Sequence, residues 1–481
     1  MRGILKGTRM SEEKLSEPQG WAEKNFGTSD LGDKRRTERV VKIASALAAN
    51  PGKSIPEYFD GYDLTAAYDF FNRDEATPEN IQKPHLEHVR GRMREDGVFL
   101  LLEDSSDLTW PGNLEIEGLE QICGENINTL GFILHTVLAV KWPKERAKNL
   151  GIGEARPPVE VLGLAHQKMH SRVPRAEKKH PKVPPERWRE SMLWPEAGIS
   201  IGPAPDGAKW IFVCDRGADV YEHIMELARL GYGFRIRAAH NRVLADIGEA
   251  GGERLFDKIR SMNEIGSFEM NLRSRPGKPA RNVVLQVSSC DVKARSPQRV
   301  ESGAGSLPSI ECAVVRAWEE GGDLEWIILC EKRPSGMDEA REIVAQYATR
   351  WLIEEYHKGL KSGLGAEKLR LETKGRLFAA IAIMAVIAVR LLWIKEMSRI
   401  IPDAPAKNAG VSDVEILILE KHLERAIKTV RDVALAIGAL GGHQNRKGDG
   451  MPGWKTLYRG AAKLAFMVMG YRLAMRAGKF D

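Results

Sequence analysis

Two short stretches, VFLLLED at residues 98–104 and KWIFVCD at residues 209–215, limit what this chain can fold into more than any other feature. Each is a continuous apolar run, without the polar alternation of a half-exposed strand, and each stops at a carboxylate. Such runs read as buried strands, and a buried strand needs a sheet with covered faces. Asp104 and Asp215 then stand where strands leave the sheet, a common position for chemistry in a mixed α/β domain. Strand-end aspartates are also ordinary turn residues. The runs alone leave both roles open.

The surrounding chain supports this plan. NTLGFILHTVLAVKW (128–142) and PVEVLGLAHQKM (158–169) supply further strand material, and the Pro-, Lys- and Arg-rich segment 172–189 reads as a solvent loop. Residues 241–338 look like a β-rich insertion: SFEMNL, RNVVLQVSSCDVKA, IECAVVRAW and LEWIILCE alternate or are β-branched between Gly, Pro and Ser turns. Residues 21–80 look helical and charged. Asp33 is a plausible cap there, Val40, Ile43, Ala44 and Leu47 form an apolar stripe, and Lys34, Arg35, Arg36, Arg39 and Lys42 cluster on the first turns. Residues 376–481 read as helical again, with Ser412 and Glu415 as a capping box. The expected organisation is a flexible extension (1–20), a helical unit (21–80), an α/β domain (81–375) with its insertion, and a helical C-terminal domain (376–481). Translation is expected to begin at Met1 or Met10.

Composition excludes several classes. At 481 residues, 43% hydrophobic and 29% charged, the chain has the make-up of a multi-domain globular protein rather than a disordered one. A net charge of +6 is compatible with nucleic acid, although binding depends on where the charge sits. The five cysteines (Cys123, Cys214, Cys290, Cys312, Cys330) are scattered without a CxxC pair, which points to a reducing cytoplasm and away from a cysteine zinc site. The longest apolar run, Leu377–Val389, is too short to span a bilayer and reads as a buried helix, so no membrane partner is expected.

YATRWLIEEYHKGLK, residues 347–361, carries the densest chemistry. Tyr347, Arg350, Glu354 and Lys361 lie three, four and seven residues apart, which places them on one side of a helix. Ala345, Ala348, Leu352, Tyr356 and Leu360 occupy the other side and would face a core. An acid flanked by cationic and phenolic groups suits work beside phosphates, and a solvated face with incidental ion pairs would look the same. Competing signals are weaker. His166 and His170 in HQKMH lack the Glu of a zinc-protease pair, GEAGGE lacks the Lys-Ser/Thr of a phosphate loop, and no GxSxG occurs. His135 sits in an apolar run and reads as a satisfied core histidine.

Taken together, the spacing Y-(2)-R-(3)-E-(6)-K resembles the signature of bacterial insertion-sequence transposases of the DDE class, the cut-and-paste, hairpin-forming group. LLLEDSSDLTW, VCDRGADVY, WAEKNFGTSDLGDKRRTERVVKIA and the GGHQ…PGWKTLYRG block resemble family counterparts in the expected order. The likeness covers nearly the whole chain after residue 20. It implies a ribonuclease H-like catalytic domain interrupted by the β-rich insertion and flanked by an N-terminal DNA-binding domain and a C-terminal dimerisation domain.

By that resemblance, Asp104, Asp215 and Glu354 are the catalytic triad that holds two Mg²⁺ or Mn²⁺ ions. Tyr347, Arg350, Lys361 and Arg237 match DNA-backbone contacts, with His357 and Lys358 close enough to assist. Arg35, Arg36 and Arg39 match the helix that helps recognise transposon ends. Trp326 matches the position that stacks on a flipped base, and Trp351 is placed to contribute. The implied partners are double-stranded DNA, as transposon ends and as target, and a second copy of the chain in a synaptic complex. The implied location is the bacterial cytoplasm, at the nucleoid when bound to DNA. Where relatives often carry D-R-E-A-D, this chain has Asp215-Arg216-Gly217-Ala218-Asp219, which bears on metal geometry rather than on class. A transposase-derived DNA-binding protein without catalysis, a ribonuclease H-like nuclease without strand transfer, and an inhibitory truncated product are the alternatives.

Overall fold

A computed structural model describes residues 18–49, 54–122, 128–143, 156–172, 190–245, 252–272, 281–297, 307–446 and 449–478. Met10, Cys123, the loop from residue 173 to 189 and most of GEAGGE lie outside them.

Among the described residues the centre is a ten-stranded mixed sheet, with helical units before and after it in the chain. β1 (Gly97–Pro111) pairs antiparallel with β3 (Thr129–Trp142), which carries the short β2 (Glu120–Gln121) and β4 (Glu160–His170) along its other edge. On its far side β1 pairs in parallel with β5 (Ala208–Cys214), and β5 in parallel with β6 (Gly233–Arg237). The sheet then continues antiparallel through β10 (Glu325–Cys330), β9 (Ile310–Glu319), β8 (Arg281–Ala294) and β7 (Gly266–Leu272). The β-rich segment is thus not a detached module among the described residues: its strands extend the central sheet beyond β6.

The non-alternating runs have a simple cause. Successive side chains of a strand point to opposite faces, and both faces of β1 and β5 are covered. Leu100, Leu102, Ile211 and Val213 enter one core; Phe99, Leu101, Trp210 and Phe212 enter the other. The first core is closed by α10 (Lys374–Ile400) and by the signature segment, and it is continuous with the N-terminal helices α1 (Pro18–Phe26), α2 (Lys34–Ala49) and α3 (Gly61–Phe71). The second is closed by α4 (Pro78–Arg92), α5 (Leu193–Ile201), α6 (Tyr221–Arg229) and α7 (Leu255–Ser261). Helix α1 starts at Pro18, inside the segment expected to be a loose extension.

Helix α10 runs 27 residues, well beyond the apolar run seen in the sequence, and by length and composition it could cross a bilayer. It is instead a core helix, with Ala379 to Val389 buried throughout. Its polar end is held from inside the fold. Both oxygens of Glu396 accept from the Arg156 guanidinium at 3.0 and 3.1 Å, with Lys395 at 3.1 Å and Arg399 at 3.2 Å.

The signature segment is not one helix. α8 (Met337–Ala348) ends at Thr349, α9 (Trp351–Lys358) begins one residue after Arg350, and residues 359–363 form a π turn. Thr349 Oγ1 donates to the Ala345 carbonyl at 2.9 Å, a back-bond that bends helices. The π turn is shaped by Trp454, at the start of α13 (Trp454–Ala477). A Cβ on Gly363 would lie 2.0 Å from Trp454 Cη2, and one on Gly359 would lie 2.7 Å from Cζ2. Gly363→Ala is therefore expected to lower stability by about 1–3 kcal/mol through overpacking, measured as a shift in the urea midpoint; an unchanged midpoint would show that Trp454 moves freely.

The remaining C-terminal helices, α11 (Asp413–Leu423) and α12 (Val430–Leu440), form a core of their own with α13 around Leu419, Val433, Ile437 and Leu464. The Ser412–Glu415 capping box is present. A second box at Thr429 and Asp432 starts α12, after Glu424 has ended α11 in the left-handed region (φ 51°).

Candidate active site

The parallel pairing of β1 and β5 builds the site. Leu102 lies opposite Val213 and Glu103 opposite Cys214, so Asp104 and Asp215 follow one step later. Asp215 stands just past the end of β5, as expected, but Asp104 lies within β1 rather than at its end, because β1 continues to Pro111 in its pairing with β3. By strand parity both point to the face that α9 covers, whereas Glu103 and Cys214 point the other way. Glu354 stands in the first turn of α9. Arg350 joins the groups: its guanidinium pairs with Glu354 and lies 3.6 Å from Asp104 Oδ2. The three acids expected from the sequence are thus brought to one place, with a single arginine between two of them.

The electrostatics of this cluster are unbalanced. Burial first, and then the charge of Asp215, push the Asp104 carboxyl up to about 7, with Glu354 adding to the effect. Arg350 and the Ser105 N–H, 2.9 Å from Oδ1, oppose that rise without cancelling it. A cation accepted by all three carboxylates would remove the repulsion, and hard divalent ions prefer such oxygen donors. The donor set therefore fits a site for Mg²⁺ or Mn²⁺.

Asp215 Oδ1 also accepts the Gly217 N–H at 2.7 Å. A Cβ at Gly217 would stand 3.0 Å from that oxygen and 3.3 Å from Trp194 Cζ2. The glutamate of the D-R-E-A-D pattern would fit here only if Asp215 or Trp194 shifted by a few tenths of an ångström. Asp219 of the same segment is buried, and its carboxylate accepts the Ala239 and His240 N–H groups at 2.7 and 2.8 Å and pairs with Arg242. It fixes the chain just after Arg237.

Several expected DNA contacts are turned elsewhere. His357 is buried, with Nε2 3.3 Å from Thr136 Oγ1, and burial lowers its pKa to about 3. A neutral, enclosed imidazole cannot assist a backbone contact, so that expectation is corrected. Tyr347 is buried too, because the bend at Thr349 takes it off the exposed ribbon and sets it edge-to-face against Trp326 at 5.3 Å. Trp326 is itself buried, so its stacking face is not open. Trp351 is 44% exposed at the start of α9. Arg237 donates to the Glu325 carbonyl at 2.9 Å, beside Trp326. Lys361 donates to the Asp107 carbonyl at 2.6 Å and lies 3.5 Å from Glu367, while Lys358 is exposed.

On the N-terminal helix, Asp33 caps α2 by accepting the Arg35 N–H at 2.8 Å. The Arg35 side chain is 90% exposed. Arg36 and Arg39 differ: they pair with Glu75 at 2.7 Å and Asp63 at 2.9 Å, holding α2 to the segments that follow it. These two would have to exchange partners to meet phosphate.

A residue that the sequence reading passed over lies directly behind the acids. Glu103 is fully buried, and its carboxylate accepts from His135 Nε2 at 2.9 Å and faces His223 Nε2 at 3.3 Å and Cys214 Sγ at 3.5 Å. Burial would raise the Glu103 pKa, but the two imidazoles outweigh it and hold the carboxyl below its usual range. Ser105 Oγ meets His135 Nδ1 at 2.7 Å, so the network runs from Glu103 back to the residue whose N–H orients Asp104. The signal was present: strand parity turns Glu103 inward beside Phe99 and Leu101, and a buried carboxylate requires partners.

Residues 18–76 match the family model for a transposase DNA-binding domain. They comprise α1, α2 and α3 with the 3₁₀ turn between the last two. This segment, similar to a transposase DNA-binding domain, packs against the core of a mixed α/β fold, and the similarity supports DNA as a partner.

Proposed function

We propose that this chain is a DDE transposase of the Y-R-E-K signature group, acting on inverted-repeat ends by cut and paste in the bacterial cytoplasm. The observation that carries the reading is the meeting of Asp104 within β1, Asp215 just past the end of the adjacent parallel β5, and Glu354 on α9, in a chain with a segment similar to a transposase DNA-binding domain. The strand order β4-β3-β1-β5-β6, antiparallel up to β1 and parallel beyond it, supports the ribonuclease H-like assignment.

Asp104, Asp215 and Glu354 would hold the divalent ions, two by family expectation, which supply a nucleophile of lowered pKa and charge stabilisation at phosphorus. The protein's own groups do the rest. Arg350 offsets the acids' charge and presents a planar fork suited to phosphate, and exposed Lys358 and Arg35 offer further cations. Water nicks one strand; the freed 3′-hydroxyl attacks the opposite strand and forms a hairpin. Water reopens the hairpin, and the 3′-hydroxyl attacks target DNA. One site serves each step because every step is an in-line displacement at phosphorus. Each protomer of a dimer would act on the end held by the other. Exposed Phe466, Leu473 and Met475 on α13 give that pairing an apolar surface.

Trp351 is the open stacking platform, and Trp326 joins it only if it parts from Tyr347. Trp351→Ala is expected to slow hairpin formation about 10- to 100-fold, the worth of one stacked base, with first-strand nicking less affected. The assay follows nicked, hairpin and joined products from a plasmid carrying the DNA on either side of this gene, with Mg²⁺ or with chelator. Nicks without hairpins or joined ends from the unaltered protein would reduce the reading to a nuclease.

A further inference from the structure

A second cationic site lies away from the acids, where the N-terminal helices meet the core helix. A cavity of about 80 Å³ is lined by Trp21, Lys24, His88, Arg92, Arg390 and Trp393, with His85 and Asn25 in its wall. That is roughly five to eight times the space one water needs, enough for a small polyatomic ion. Its lining contains three cationic side chains and no carboxylate.

The partners these groups already have are few. Arg92 pairs with Glu160 at 2.7 Å. Arg390 lies over the Trp21 ring at 5.9 Å and meets the Ala48 and Gly410 carbonyls at 3.5 and 3.1 Å; the charge of Glu415 acts on it, but no carboxylate forms an ion pair with it among the described residues. Lys24 and His88 make no hydrogen bond or ion pair among the described residues. His85 takes no part in the charge: its Nε2 accepts the Leu164 N–H at 2.9 Å, so its Nδ1 carries the proton and faces Asn25 Oδ1 at 2.7 Å. The Lys24, Arg92 and Arg390 side chains are partly buried and of like charge, and an anion in the cavity would be the complementary partner.

We propose that this cavity binds a phosphate group, held by Lys24, Arg92 and Arg390 with His88 beside them, and that its occupancy fastens the DNA-binding domain to helix α10. Helix α1 brings Lys24, α4 brings His88 and Arg92, and α10 brings Arg390, so one tetrahedral oxyanion would contact all three elements. The electrostatics agree. Burial, and then Arg92, hold Lys24 below the usual lysine range; burial, then Lys24 and Arg92, lower His88 to about 4. An anion among them would relieve each of these repulsions. The phosphate is either a free ion or one group of a DNA backbone, and the two sources are separable.

The test compares the full-length chain with Lys24→Gln, a change that removes no existing partner. Thermal unfolding is followed in orthophosphate against chloride at equal ionic strength, and DNA binding is followed across a salt series. A rise in melting temperature of about 2–4 °C in orthophosphate, lost in Lys24→Gln, supports the site with a free ion. No such rise, but a salt slope for DNA that falls by about one contact in Lys24→Gln, supports it with backbone phosphate. Equal orthophosphate gains in both proteins, as general salting-out would give, or no gain in either, with the same DNA salt slope in both, overturns it.

Discussion

Asp104→Asn is expected to raise the stability of the metal-free chain above pH 7 while abolishing strand cleavage. The two effects share a cause. Burial and Asp215 hold the folded-state pKa of Asp104 near 7, about three units above the ordinary 3.8. Between those values the folded chain keeps a proton that the unfolded chain has released, so stability falls as pH rises and the full cost is reached above pH 7. At about 1.4 kcal/mol per unit, the carboxylate costs on the order of 4 kcal/mol there. Asparagine removes that cost, and below pH 4 the two proteins should be nearly equal. Urea unfolding at pH 4 and pH 8, in chelator, measures the difference; equal stabilities at pH 8 would mean that the acids are not in mutual repulsion.

The largest loss of stability is expected at the other end of the same fold. Glu396→Gln keeps the size of the side chain and removes the only carboxylate that Arg156 pairs with among the described residues. Arg156 would retain the Pro157 carbonyl at 3.1 Å, and Lys395 would retain Glu355. Leaving a buried arginine without its counter-charge costs about 3–5 kcal/mol, which should appear as a lower urea midpoint and as earlier unfolding of β4 and α10 in hydrogen exchange. Near-neutral behaviour would mean that Lys395, Glu355 and Arg399 rearrange to compensate.

Much of this was legible in the sequence, for reasons that lie in short-range pattern. VFLLLED and KWIFVCD had to be covered strands because no alternation was present, and their terminal acids followed the strands into register. The strands after residue 241 were visible from their turns and β-branched residues. Their place in the same sheet was not, because the pairing of β6 with β10 joins residues some ninety positions apart. The signature spacing found Glu354 and Arg350 but concealed the bend, since periodicity cannot register a threonine hydroxyl bonding back to Ala345. That bend is why Tyr347 left the ribbon and Trp326 gained a partner. Arg36 and Arg39 looked free for the same kind of reason: Glu75 and Asp63 reach them through tertiary packing. The close passage of Gly359 and Gly363 beside Trp454, from a distant block, was likewise not visible in the local pattern.

Glu354 is the member of the proposed metal-holding set that stands on a helix rather than in the sheet. Single-turnover cleavage of a transposon-end duplex should be followed in Mg²⁺ with wild-type protein and with Glu354→Gln, alongside end binding by each. Asp104, Asp215 and Glu354 acting as one metal-holding set predict cleavage in wild type that chelator abolishes, no detectable cleavage by the variant, and end affinity within a few-fold of wild type. Cleavage by Glu354→Gln at the wild-type rate would contradict it.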